Sequence, residues 1–150
     1  MKGENVHRRG TELTEFAPSE LTGNVLAAAF EVHTLLGPGL LESVYQEALC
    51  HELRLRAIPV RTQVLVPVSY KGELLESSLR LDLLVADAVV VEVKSVKSLE
   101  DVHTAQLLTY LRLTTLSTGL LINFTVASLK LGIKRVINTP RTSANSVPLR

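Results

Sequence analysis

Apolar residues recur every three or four positions near the start of the chain, at Leu21, Val25, Ala28, Val32 and Leu35. That period predicts a helix with Ser19 as its N-cap. Gly37-Pro38-Gly39 ends it, because Gly suits the left-handed position past a helix and Pro cannot continue one. A second helix is expected from about Leu40 to Arg56, with Val44, Ala48 and Leu55 on its apolar side and Ile58-Pro59 closing it. The period then shortens to two. Val64, Val66 and Val68 alternate within Val60 to Tyr70, as in a half-buried strand, and Pro67 points to an edge position or a bulge.

Lys71-Gly72 supplies a tight turn into a return strand, Glu73 to Val85, interrupted near Ser77-Ser78. Ala86-Asp87-Ala88 turns again into Val89 to Val93. A helix from about Leu99 to Leu113 follows, then a buried strand over 119–124, and Ile133 to Ile137 adds a last short strand. The order α-α-β-β-β-α-β predicts an α/β (α+β) domain, a mixed sheet with helices packed on it. Residues 1–17 are polar and aperiodic and are expected to be a flexible segment. The domain is placed at 18–138, and 139–150 is expected to be a disordered tail.

Composition narrows the class. At 150 residues and 46% hydrophobic, the chain can build one sizeable core. No apolar run approaches the ~18 residues needed to span a bilayer, so no membrane role is expected. The basic N-terminus has no apolar stretch behind it, which argues against a secretory signal. Cys50 is the single cysteine, so no internal disulfide forms; a cytoplasmic, reducing setting suits it, and a structural zinc site does not.

The net charge is +1, but its distribution is uneven. All 15 acidic residues lie at or before Asp101, whereas Val102 to Arg150 carries six bases and no acid. A nucleic-acid partner fits such an asymmetry, and so does a solvated basic surface.

The stretch Ala88-Val-Val-Val-Glu92-Val-Lys94-Ser95 sets the chemical question. Residues two apart on a strand share a face, so Glu92 and Lys94 project together from an apolar run. With a three-residue loop at 86–88, Val85 pairs with Val89 and Asp82 falls opposite Glu92. Facing residues have Cβ atoms roughly 4.5–5.5 Å apart. Two carboxylates that close repel, and one holds its proton unless a cation lies between them. Lys94 supplies part of that charge, and a hard divalent ion such as Mg²⁺ would supply more. Asp, Glu and Lys in the order D-(x9)-E-x-K suit metal-assisted phosphodiester hydrolysis, in which the metal polarises the phosphate and acidifies water while lysine offsets growing charge. A solvated cross-strand cluster, with an ion pair worth under ~1 kcal/mol, is the alternative reading of the same three residues.

Two further segments bear on that choice. Gly39-Leu-Leu-Glu42-Ser-Val-Tyr45 fits G-x-x-E-x-x-Y, and around it the chain reads EVHTLLGPGLLESVYQEAL. With VPVSYKGELL, LRLDLLVADAVVVEVKSV, AQLLTYLRL and GLLINF, it resembles the GxxExxY proteins, a family within the PD-(D/E)XK nuclease superfamily. The resemblance covers about Leu21 to Asn138. It implies a restriction-endonuclease-like αβββαβ core, a Mg²⁺ (or Mn²⁺) ion held by Asp82, Glu92 and the Val93 carbonyl, and a catalytic role for Lys94. Glu42 then corresponds to the helix acid that completes the metal site. Gln106 and Tyr110 match the Q-x-x-x-Y element of some branches. Leu81 stands where the superfamily's motif has its proline.

Other residues have plainer readings beside these. Glu42 can serve the α-helix dipole, worth ~0.3–1 kcal/mol. Gln106, Tyr110 and His103 share a helix face that is either a site face or an ordinary polar stripe. His33 is read as a satisfied, partly buried histidine. The expected function is a nuclease-like enzyme on DNA, ahead of RNA. A non-catalytic module that binds nucleic acid or protein is the alternative, and a homodimer or a partner protein is compatible with either.

Overall fold

The computed structural model describes residues 18–139. The expectations for residues 1–17 and for the tail from 140 onward lie outside the described residues. The elements run α1 (Pro18–Leu36), α2 (Glu42–Leu55), β1 (Val60–Tyr70), β2 (Glu73–Val85), β3 (Val89–Lys94), α3 (Asp101–Thr114), β4 (Thr118–Asn123), a 3-10 turn (Leu129–Gly132) and β5 (Ile133–Ile137). This is the expected order, and both long strands of the first hairpin have the expected ends.

Helix α1 begins at Pro18, so Ser19 sits inside the first turn, where its carbonyl accepts the Thr22 hydroxyl at 2.9 Å. Proline's fixed φ and missing N–H favour that first position. Gly37 (φ 71°) and Gly39 (φ 98°) make the turn that follows, both in the left-handed region. The expected apolar face holds for Leu21, Val25, Ala28 and Val32, but Leu35 is 72% exposed, one turn past the sheet's cover. In α2 the phase differs from expectation. Tyr45, Leu49, Cys50 and Leu53 are buried, while Val44 and Leu55 face outward. Spacings of four from Tyr45 to Leu53 keep a helix on one face, which explains the shift. The helix closes with Ala57 N–H on the Arg54 carbonyl (3.0 Å) and Ile58 N–H on that of Leu53 (2.9 Å).

The sheet is five-stranded in the order β1-β2-β3-β4-β5. Only β3 and β4 are parallel, joined over the sheet by α3; the other pairs are antiparallel. Helices α1 and α2 cover one face, with Leu83, Val91, Val93, Leu120 and Ile122 beneath them. The α3 residues Leu107 and Leu111 cover the other, over Leu81, Leu84, Val90 and Leu121. Full burial of such side chains is worth roughly 1.5–3 kcal/mol each, so this two-sided core holds the strands in place. β1 lies at the sheet edge, and its register slips between Pro67 and Ser69, as proline there requires.

One irregularity lies at the centre. Leu81 and Leu83 are two apart on β2, yet they pack on opposite faces of the sheet. On β1, Val60 and Val64, opposite Val85 and Leu81, divide in the same way. Between them stand Asp82 and Gln63, and Gln63 has a left-handed φ of 50°. The alternation of faces therefore breaks at this pair of residues. Beyond it the hairpin projects past β3, and Glu73 to Ser78 are all exposed.

Glycines in the second half pack closely. A Cβ on Gly132 would strike the Asn123 carbonyl, a backbone group that cannot swing aside, whereas one on Gly119 would meet only Leu107 side-chain atoms at 2.9 Å. Gly132→Ala is expected to lower stability by about 2–3 kcal/mol and Gly119→Ala by about 1 kcal/mol. Urea denaturation of the two variants, compared by midpoint at equal slope, checks that ranking.

Candidate active site

The β2–β3 ladder runs from Val85–Val89 to Leu83–Val91, the register expected from a three-residue loop. Ala86 and Asp87 make that loop with φ of 49° and 53°. One step further, where Asp82 and Glu92 would face each other, side chains replace the ladder. The Asp82 N–H donates to Glu92 Oε2 at 2.8 Å, and the Val93 N–H donates to Asp82 Oδ2 at 2.9 Å. Each carboxylate thus satisfies a backbone donor of the opposite strand. Such charge-assisted bonds are among the stronger ones available and fix both side chains.

Burial makes the pair electrostatically tense. Glu92 is only 4% exposed. Its burial first, and the Asp82 carboxylate second, push its pKa up to about 8, against the pull of the Asp82 N–H and of Lys94. Burial also raises Asp82, opposed by the Val93 N–H and by Lys94. Tyr110 on α3 is near enough to feel both acids: burial and then the Glu92 and Asp82 charges raise its phenol, and the Gln106 side chain acts the other way. Asp82, Glu92, Lys94 and Tyr110 therefore share one locality, with Gln106 exposed on the turn before Tyr110. His103 leaves that face: its Nδ1 accepts the Glu100 N–H at 2.9 Å in a capping box at the start of α3.

Glu42 approaches from the other side. Its Oε1 accepts the Ser95 N–H at 3.2 Å, just past the end of β3. The three acids expected from the sequence are not drawn into one closed cluster. Among the described residues no three His, Cys, Asp or Glu side chains come together as a metal-holding group. The negative charge of Glu42 still reaches both acids, as a minor cause of their raised pKa values.

The Gly39-x-x-Glu42-x-x-Tyr45 segment has a structural logic of its own. Tyr45 is fully buried and stacks on Phe124 with ring centroids 4.6 Å apart and 8° between planes. Its hydroxyl donates to the Gly37 carbonyl at 2.5 Å and accepts the Leu40 N–H at 3.0 Å. The loop carrying Glu42 is thereby tied to the core. Ser95 ties it again, donating from Oγ to the Leu40 carbonyl at 2.7 Å beside Thr125. His33 is satisfied by the Val126 carbonyl at 2.8 Å, the bland role expected for it. Sequence reasoning missed Ser95, Asn123 and Gln46. Buried Asn123 grips the segment after β3, with Oδ1 accepting the Val96 N–H (3.1 Å) and Nδ2 donating to the Val96 carbonyl (2.8 Å). A polar residue ending the apolar run Leu120-Leu-Ile-Asn123 was its one signal.

The donor set suits a hard divalent cation. Buried Glu92 and half-buried Asp82 each commit one oxygen to a strand N–H, and among the described residues the second oxygen of each accepts no hydrogen bond. A cation there would offset the Asp82 charge that helps to raise Glu92.

The model of the PD-(D/E)XK nuclease superfamily matches residues 19–136. The chain belongs to the PD-(D/E)XK nuclease superfamily. Its mixed five-stranded sheet between helices is accordingly the restriction-endonuclease-like fold, as expected from the sequence. A solved structure described as "Crystal structure of SSO0001" is similar at 21% identity and a TM-score of 0.47, over 72% of this chain and 55% of that one. The chain thus spans little more than half the length of that relative. No curated protein matches it.

The sign of the Glu92 shift gives a stability test. A folded pKa near 8 above an unfolded value near 4.5 means that the fold holds this proton. That stabilisation is complete below about pH 4.5 and is lost as pH rises through 8. Glu92→Gln keeps the acceptor for Asp82 N–H without the charge. It is expected to melt about 4 °C or more above the parent at pH 8, the gap closing toward pH 4.5, in metal-free thermal scans. Tyr45→Phe, which leaves the Leu40 N–H without its acceptor, is expected to cost about 1–2 kcal/mol by urea denaturation.

Proposed function

We propose that this chain is a nuclease that uses Mg²⁺ or Mn²⁺ to cut nucleic-acid phosphodiester bonds at the Asp82–Glu92 pair, DNA ahead of RNA, and that it falls in the GxxExxY branch of its superfamily. The observation that carries the reading is the crossed pair itself. Two carboxylates, Glu92 buried and Asp82 half-buried, are fixed by opposing strands at the point where those strands part and are flanked by Lys94. A surface ion cluster does not need either the burial or the backbone donors.

Asp82, Glu92 and the Val93 carbonyl would hold the ion. The N–H and C=O of a strand residue leave it on the same side, so the Val93 carbonyl faces the gap in which its N–H meets Asp82. Glu42, held by Ser95, would reach the ion through water, which Mg²⁺ retains in most sites. Bound there, the cation supplies Lewis-acid polarisation of the phosphate and acidifies water. Lys94, two residues beyond Glu92 on its face, offsets charge growing on the phosphate oxygens. Tyr110 and Gln106 border the acids from α3, placed to contact the phosphate or its sugar. A cytoplasmic site of action suits the lone, buried Cys50.

A second reading keeps the fold as a non-catalytic binding module. Retention of the Glu92 proton up to about 8 favours it, since the pair is then stable without a cation. Activity separates the two. Glu92→Gln and Lys94→Ala are expected to reduce Mg²⁺- or Mn²⁺-dependent cleavage about a hundredfold or more, with circular dichroism unchanged. If the wild-type chain cuts no single-stranded, duplex or branched DNA or RNA with either ion, the enzyme reading fails. Added Mn²⁺ should also raise the Tm of the wild type and leave that of Asp82→Asn unmoved.

A further inference from the structure

Two open cavities flank α2, one of about 550 Å³ beside Glu42 and Ser95, the other of about 460 Å³ between α2 and β1. Ser43 and Gln46 line both, so the two form one trough that runs from the end of β3 to the β1 edge. Gln46 stands at the junction, where its Nε2 reaches the Asp82 carbonyl at 3.5 Å. A bond that long holds the amide only weakly and leaves it available to a ligand.

The β1 side of the trough is lined by Thr62 and Gln63, with Glu47 and Arg54 of opposite charge across it. Gln63 lies between Thr62 and Val64, whose partners are Leu83 and Leu81, so it stands across from Asp82 in β2. Its left-handed φ of 50° is one that residues other than Gly, Asn and Asp seldom adopt, and it accompanies the break in face alternation described above. Backbone strain of this kind clusters at ligand sites, where the surrounding structure holds it in place.

We infer that this trough is a nucleotide subsite in which the Gln46 and Gln63 amides read the base edge of the nucleotide next to the scissile phosphate. The inference rests on the nuclease reading of the Asp82–Glu92 pair. Its chemistry is that of base recognition: an amide presents one acceptor and two donors, the pattern that matches a base edge. A phosphate track needs a run of cations instead, and here one arginine stands against two glutamates, Glu42 and Glu47.

The test measures binding of the full chain to labelled oligo(dA), oligo(dC), oligo(dG) and oligo(dT) by fluorescence anisotropy, with Ca²⁺ replacing Mg²⁺ to prevent cutting. The wild type is expected to prefer one base. Gln46→Ala and Gln63→Asn should weaken that preferred oligomer about tenfold and the others less than twofold, with an unchanged salt slope. Asn tolerates left-handed φ, so Gln63→Asn shortens the reach without a new backbone demand. Equal weakening of all four with a shallower salt slope, no weakening, or a wild type without base preference overturns the subsite. A wild type that binds none of the four and cuts no nucleic acid overturns the nuclease reading with it; a wild type that cuts while both variants bind as before overturns the subsite alone.

Discussion

Everything at this site depends on one exchange: where β2 and β3 part, each strand's backbone donor is taken by a carboxylate of the other. A buried N–H without an acceptor is costly, so strands that diverge in a core must find substitutes for the lost ladder bonds. Asp82 and Glu92 are those substitutes. The same two bonds that close the backbone account also orient the acids. Support for the fold and placement of the chemistry are one arrangement here, not two.

The cost of that arrangement is electrostatic, and the surroundings are built to bear it. Lys94 and the two N–H groups pull the acids toward ionisation; burial, joined at Glu92 by the Asp82 charge, pushes the other way and prevails. Helix α3 covers the α3-facing side of the pair with Tyr110, while the Gly37–Leu41 turn brings Glu42 up from the opposite side through Ser95. The Tyr45–Phe124 stack anchors that turn to the core under β4.

Much of this was legible in the chain. Strand ends, the 86–88 loop and the Asp82–Glu92 register follow from local rules: alternation, turn residues and a constant index sum within a hairpin. What was not legible depends on long-range packing. The burial of Tyr45 in place of Val44 is set by where the sheet lies, not by α2 alone. Glu42 looked like a third member of the acid pair, but the Ser95 N–H, 53 residues away, claims its carboxylate. His103 shared a helical face with Gln106 and Tyr110, yet the unsatisfied N–H groups at the start of α3 were a nearer partner. The break in alternation at Asp82 has no counterpart in a periodicity argument, which assumes that a strand keeps its faces.

That break also has a mechanical side. β2 is gripped firmly only from Leu81 to Val85, between two cores, and its outer part is held by β1 alone. At roughly 3.3 Å per residue, the stretch from Asp82 to Glu73 makes a lever of about 30 Å whose fulcrum is the crossed carboxylate pair. A force applied sideways at the exposed Lys71-Gly72 tip is delivered as torque on the residues that hold the two acids in register.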